Sequence, residues 1–122
     1  MKLPVPLIDP PRRALAAAVH RPSDHPPLRV RAGQAVTVGR RDEEWPLWFR
    51  CRADGGGEAW IPEAWLERDG SRATLRADYD ATELEVAPGD RLAVTHAYGG
   101  WLWAERADGA RGWVPTRCVE WE

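Results

Sequence analysis

The sequence predicts an all-β protein made of two small five-stranded barrels in tandem. A short pattern occurs twice at an offset of 53 residues, once as Trp48-Phe49 followed by Trp60-Ile61-Pro62 and again as Trp101-Leu102 followed by Trp113-Val114-Pro115. A repeat of this length means that one small fold is built twice. Between these motifs, short runs alternate apolar with polar residues and are separated by glycine and proline, which is typical of half-buried strands joined by turns.

The chain begins with an apolar, proline-rich arm over residues 1–13. Proline fixes φ and removes a hydrogen-bond donor, so the arm is predicted to be extended rather than helical. The next segment, Ala14–Val19, has helical propensity because it is rich in alanine, but it is too short to form an isolated helix. Its partner in the second copy, residues 73–77, has the composition of a strand, and we therefore predict a strand for both segments.

The first module is predicted to span residues 14–68. His20–Pro27 is a loop with three prolines, and the alternating segments 28–30 and 36–38 are strands separated by Gly33, which stands at a position suited to positive φ. Trp48–Arg52 is a further strand, and Asp54–Gly57 has the composition of a hairpin turn.

The second module is predicted to span residues 73–122, after a short polar linker at 69–72. It repeats the glycine between strands at Gly89 and the hairpin turn at Asp108-Gly109. The domain organisation predicted from the sequence is therefore an arm, a first module, a short linker and a second module.

The bulk composition excludes several classes of function. The net charge of −2 gives no global basic field, which argues against a nucleic-acid partner. No apolar stretch reaches the length needed to cross a membrane, and the first residues are too short and too rich in proline for a signal peptide. The two cysteines, Cys51 and Cys118, do not occupy equivalent positions of the repeat, and zinc-ligand spacing is absent. These features predict a cytoplasmic protein with reduced thiols, no metal and no cofactor.

The second module resembles a Src-homology-3 (SH3) domain over nearly its whole length. Leu75–Tyr79 is similar to the first strand of that family, and Glu83–Asp90 is similar to its acidic stretch ending in Gly-Asp. Gly100–Ala104 and Gly112–Val119 resemble the Trp-Trp strand and the strand that carries the family's groove proline. The first module shares the resemblance through the repeat, and tandem bacterial SH3 proteins look most similar.

The resemblance implies a shallow aromatic groove that binds left-handed proline-rich peptides. The second module has Ala77 and Cys118 where the family has tyrosines, and its first long loop is short, so the groove is expected mainly on the first module. His20 stands near the first-module position that corresponds to Tyr79. The residues implied for peptide binding are Trp48, Trp60, Pro62, Trp65, Tyr79, Trp101, Trp113 and Pro115.

Strand alternation separates the tryptophans from the predicted core. Phe49 and Cys51 share one face of their strand with apolar counterparts in the second copy, Leu102 and Ala104, so that face is predicted to be the core. Trp48, like Trp101 and Trp103, would then face outward. An outward tryptophan beside a proline is typical of a binding surface, whereas the alternative is that these rings pack the two modules together.

The sequence therefore predicts a non-enzymatic interaction protein with an unknown protein or an extended peptide as its partner. No nucleophile, paired-carboxylate or phosphate-loop motif is present. The main alternative is a structural or assembly subunit whose tryptophans are used in contacts between modules and in a homo-oligomer. A third hypothesis is cell-wall peptide binding, as in bacterial SH3-like modules attached to hydrolases.

Overall fold

The computed structural model describes residues 3–22 and 26–122; Met1 and Lys2 of the predicted arm and residues 23–25 of the predicted first loop lie outside this part. The described chain contains strands and two three-residue 3-10 turns, and no α-helix is present in these ranges, which confirms the all-β prediction. The strands are β1 (Arg12–Ala16), β2 (Arg29–Val30), β3 (Ala35–Arg41), β4 (Trp48–Ala53), β5 (Glu58–Pro62), β6 (Leu66–Asp69), β7 (Arg72–Leu75), β8 (Tyr79–Asp80), β9 (Arg91–Tyr98), β10 (Trp101–Arg106), β11 (Arg111–Pro115) and β12 (Val119–Trp121).

The chain forms two compact units that are not consecutive halves. Unit 1 contains Pro27–Ala81 together with residues 3–4, and unit 2 contains Val5–Pro26 and Thr82–Glu122. In chain order, therefore, the main segment of unit 1 is inserted between the two segments of unit 2. This division differs from the predicted modules at 14–68 and 73–122.

Unit 1 contains a five-stranded sheet in the order β5-β4-β3-β7-β6 and a two-stranded pair of β2 with β8. Strands β6 and β7 form a tight antiparallel hairpin in which Leu66 pairs with Leu75 and Asp69 pairs with Arg72. Gly70 in the turn has a φ of 64°, a conformation that two-residue hairpins require. The segment 69–72, predicted to link two modules, is instead a hairpin that returns β7 to unit 1.

Unit 2 contains a second five-stranded sheet in the order β11-β10-β9-β1-β12. Strand β1 lies between two strands of the other end of the chain, with Arg13 opposite Ala93 on β9 and Ala14 opposite Trp121 on β12. The strand predicted at Ala14–Val19 is confirmed for Ala14–Ala16 only, because β1 begins at Arg12 and ends at Ala16. It completes the sheet formed by the second half of the sequence. Pairing leaves both five-stranded sheets open, and no closed barrel is found in the described residues.

The chain enters and leaves unit 1 along neighbouring antiparallel segments. Within unit 2, the backbone N–H of His20 donates to the Val86 carbonyl at 3.1 Å and the Val86 N–H donates back to the His20 carbonyl at 3.0 Å. Within unit 1, Val30 pairs with Tyr79, and the Ala81 N–H donates to the Leu28 carbonyl at 2.9 Å. These pairs bring the two ends of the inserted segment close together, as tolerated domain insertions require.

The alternation predicted for the core is confirmed on one face. Phe49 and Cys51 in β4, like Leu102 and Ala104 in β10, are buried. Trp48, expected to face outward, is only 5 % exposed. Strands alternate cleanly only where one face is in contact with water, and the start of β4 is covered on both faces.

Gly112 provides a sharp test of the packing in unit 2. A Cβ at this position would lie 2.7 Å from the Leu84 backbone nitrogen and 2.9 Å from the Thr82 carbonyl oxygen. Because backbone must shift to admit it, we expect Gly112→Ala to lower the free energy of unfolding by about 1–3 kcal/mol. Gly55 is the matched control: a Cβ there meets nothing within 4 Å, and Gly55→Ala should change stability by less than about 0.5 kcal/mol. Equal denaturation midpoints for the two variants would contradict this packing.

Candidate functional site

Unit 1 brings together five of the predicted peptide-binding residues. Trp48 lies opposite Pro62 in the pairing of β4 with β5. The Tyr79 hydroxyl donates to the Trp60 carbonyl at 2.8 Å, and the rings of Trp65 and Tyr79 meet edge to face with centroids 5.6 Å apart. Tyr79, which the resemblance assigned to the second groove, therefore lies with the aromatic residues of the first.

The aromatic cluster of unit 1 is largely closed to solvent. The exposed fractions of Trp48, Trp65 and Tyr79 are 5 %, 3 % and 4 %, and the indole N–H of Trp65 donates to the Asp78 carbonyl at 3.2 Å. Trp60 is half-buried. The guanidinium groups of two arginines lie 5.0 and 5.7 Å from the centroid of its ring, those of Arg40 and Arg50.

Unit 2 contains the remaining predicted residues and an unpredicted pair beside them. Trp101 lies opposite Pro115 in the pairing of β10 with β11. The His20 ring packs edge-on against Trp101 with centroids 5.5 Å apart, and its Nε2 is 2.9 Å from Oε1 of Glu83. His20 thus holds the carboxylate of Glu83 beside Trp101, which is half-buried.

The outer surface of β9 and β10 extends this group into what we call the aromatic face, defined as His96, Tyr98, Trp101 and Trp103. Register places Tyr98 opposite Trp101 and His96 opposite Trp103, and all four side chains are half-buried. On the next strand, Trp113 meets Trp103 edge to face at 5.5 Å but is itself only 4 % exposed. The aromatic face is therefore a continuous surface supported by a buried ring.

Comparison with protein-family models gives a match to the variant SH3 domain over residues 75–122. Comparison with curated proteins gives no match, and comparison with solved structures gives none either. The SH3 match begins at the last residue of β7 and so draws its first residues, up to Ala81, from unit 1 and the rest from unit 2.

Six of the eight predicted peptide-binding residues are buried, and only Trp60 and Trp101 are half-buried. Trp103 could be found from the sequence because it alternates with Leu102 on β10. His96 and Tyr98 needed the register of β9, which shifts beside a β-bulge at Trp103/Ala104. The placement of His20 beside Trp101 needed the observation that the segment after β1 belongs to unit 2.

Burial shifts the pKa values of two ionisable side chains, those of His96 on the aromatic face and Cys51 in the core of unit 1. Burial lowers the pKa of His96, whose Nδ1 is 3.0 Å from the Thr95 hydroxyl, because a buried site disfavours the protonated ring. Burial also raises the pKa of the Cys51 thiol to about 11, which leaves this thiol protonated and unreactive.

Within the described ranges, no group of three or more His, Cys, Asp or Glu side chains is placed to hold a metal ion. No helix in the same ranges is long and apolar enough to cross a membrane.

Proposed function

We propose that this protein is a non-enzymatic interaction module that binds an extended peptide segment of a partner protein on the aromatic face of unit 2. The observation that supports this most strongly is the half-buried row of Trp101 and Trp103 inside the stretch that matches the SH3 family. SH3 domains bind proteins or peptides. Tryptophan contributes large, rigid contact area at low cost in conformational entropy, which makes such rings the usual energetic centres of interfaces.

The charge beside the aromatic face favours a ligand segment with a basic side chain. Glu83 is held at the edge of Trp101 through its 2.9 Å contact with His20, and its side chain is about one third exposed. The cationic side chain of a lysine or arginine in the ligand would be attracted both to this carboxylate and to the neighbouring indole ring.

We further propose that both units are SH3-like barrels. The two five-stranded sheets have the same order, with β5, β4, β3, β7 and β6 of unit 1 corresponding to β11, β10, β9, β1 and β12 of unit 2. Each sheet receives its fourth strand from a segment that the repeat places at the start of the other module. Unit 1 is then a permuted copy in which the first strand of the fold comes last in the chain.

A second function is favoured for the aromatic cluster of unit 1. Because Trp48, Trp65 and Tyr79 are at most 5 % exposed, these rings act as structural residues rather than as an open groove. We propose as the second candidate function that of a structural or assembly subunit, in which this cluster stabilises unit 1 and binds no peptide. The two proposals differ in whether a free peptide binds.

The experiment is the selection of peptides from a phage-displayed library on the full chain, followed by titration of one selected peptide. We expect Trp101→Ala and Trp103→Ala each to weaken binding by about thirtyfold, which corresponds to the ~2 kcal/mol typical of a tryptophan at an interface centre. Trp121→Ala is the control, because Trp121 lies outside the aromatic face under the guanidinium of Arg12. Selection of no binding peptide, together with a defined oligomeric mass, would support the structural alternative.

A further inference from the structure

A cleft in unit 2 lies outside the aromatic face. It has a volume of about 640 Å³, which lies within the range of pockets that hold small ligands. Its walls include Pro10 and Pro11 of the arm, Arg13 of β1, Arg91 of β9 and Glu105 of β10. The cleft and the aromatic face share no residue.

The shape of the cleft follows from the strand order of unit 2. Ala93 on β9 lies between Arg13 on one neighbouring strand and Glu105 on the other. Alanine at the centre of a row of long side chains leaves a depression between them, because side chains on one face of a sheet stand side by side. Arg91 lies two residues from Ala93 on the same strand and so faces the same side. The cleft exists only because β1 pairs with β9.

The arginines of the cleft differ in whether a carboxylate of the chain already pairs with them. Arg106 forms a two-point contact with the Asp108 carboxylate at 2.9 and 2.6 Å, and Glu105 pairs with Arg111 at 3.7 Å. Among the ion pairs of residues 3–22 and 26–122, none includes Arg13 or Arg91. Both are exposed, and Glu122 also lines the cleft.

We propose that this cleft binds a carboxylate group of a peptide, held between the guanidinium groups of Arg13 and Arg91. Arg106 and Glu105 already pair with Asp108 and Arg111, so Arg13 and Arg91 are the guanidinium groups of the described lining that can bind a ligand carboxylate. Guanidinium groups bind carboxylates through paired, charge-assisted hydrogen bonds. The proline pair gives the remaining part of the peptide an apolar wall. This site extends the proposed peptide-binding function to a second surface.

The test is titration of the full chain with three short probes, followed by amide chemical shifts in NMR. The probes are acetyl-Ala-Glu-Ala-amide, acetyl-Ala-Gln-Ala-amide and acetyl-Ala-Ala-Ala with a free carboxyl terminus. We expect the first or the third to shift the amides of Arg13, Arg91 and Ala93 at millimolar concentration, whereas the neutral glutamine peptide does not. The two carboxylate probes separate recognition of an acidic side chain from recognition of a chain terminus.

Variants of the two arginines make the result specific. Arg13→Gln and Arg91→Gln should each weaken binding of the carboxylate probe by at least about tenfold, the loss expected for one charged hydrogen bond. Arg12→Gln is the matched control, because Arg12 alternates to the other face of β1 and stacks on Trp121 at 4.0 Å. Equal binding of the glutamine peptide, absence of shifts at the cleft, or unchanged binding in both variants would overturn the proposal. Because these variants leave the aromatic face intact, failure here does not affect peptide binding through Trp101 and Trp103.

Discussion

A chain that lacks Val5–Ala16 is expected to lose the fold of unit 2 while unit 1 remains folded. Strand β1 is an interior strand of its sheet, bonded to β9 on one side and to β12 on the other. Its side chains Ala14 and Ala16 are 1 % and 3 % exposed and belong to the core of the unit. A small domain is stable by only about 5–15 kcal/mol, and loss of an interior strand removes more than it can sustain.

This deletion is best measured with two fragments as controls. Pro27–Ala81 contains all seven strands from β2 to β8 and should unfold cooperatively by itself. The fragment 73–122, which includes the whole SH3 match, should not reproduce the native spectrum of unit 2. Ala73 pairs with β3 in unit 1 at the position where Ala14 pairs with β9 in unit 2. If residues 73–75 of the fragment replaced β1, Leu75 would therefore have to occupy the space that holds Ala16. Overpacking of this kind costs about 1–3 kcal/mol. Native amide shifts for unit 2 in the fragment 73–122 would contradict the expectation.

The second large effect is expected at Trp48. Its ring is as buried as that of Phe49, with 5 % and 4 % exposed, so both substitutions by alanine should remove about 3–5 kcal/mol from the free energy of unfolding. Leu47, the preceding residue, is 39 % exposed and serves as the control, with an expected change for Leu47→Ala of less than about 1 kcal/mol. Urea denaturation measures all three variants. A Trp48→Ala variant as stable as Leu47→Ala would mean that Trp48 faces solvent, as simple strand alternation suggests.

Much of the local structure could be predicted from the sequence because it depends on local chemistry. The alternation of apolar and polar residues predicted the strands β3, β4 and β10. The hairpin turn predicted at Asp54–Gly57 is confirmed by the pairing of β4 with β5. Gly33 and Gly89 have φ values of 85° and 95°, as their positions between strands predicted. A glycine forced to positive φ leaves a signal in the sequence that needs no knowledge of distant contacts.

Which strands pair in each sheet could not be predicted from these local sequence patterns. Gly70-Ser71 lies between Leu66 and Leu75 and has the composition of a two-residue hairpin turn as well as that of a short linker. The interpretation as a linker followed from the repeat, which places one module after another. Only pairing at long sequence separation shows that β7 belongs with β3 and that β1 belongs with β9.

The candidate sites depend on that connection. Tyr79 lies beside Trp65, and His20 lies beside Trp101, because the segments that follow β7 and β1 remain in the units that these strands join. Residue types alone identified the tryptophans and prolines of the two clusters. Their pairing with Tyr79, His20 and Glu83, and the presence of Arg13 in a cleft with Arg91, follow from topology.

The most direct test of this architecture is the set of cross-strand nuclear Overhauser effects at β9 in the full chain. The structure places Ala14 opposite Leu92 and Arg13 opposite Ala93. We therefore expect contacts from the α-protons and amides of β1 to those of β9, and contacts from Ala73 to Val36 on β3. Contacts from Ala73 to Leu92, with none from Ala14, would show two consecutive modules and contradict the inserted arrangement.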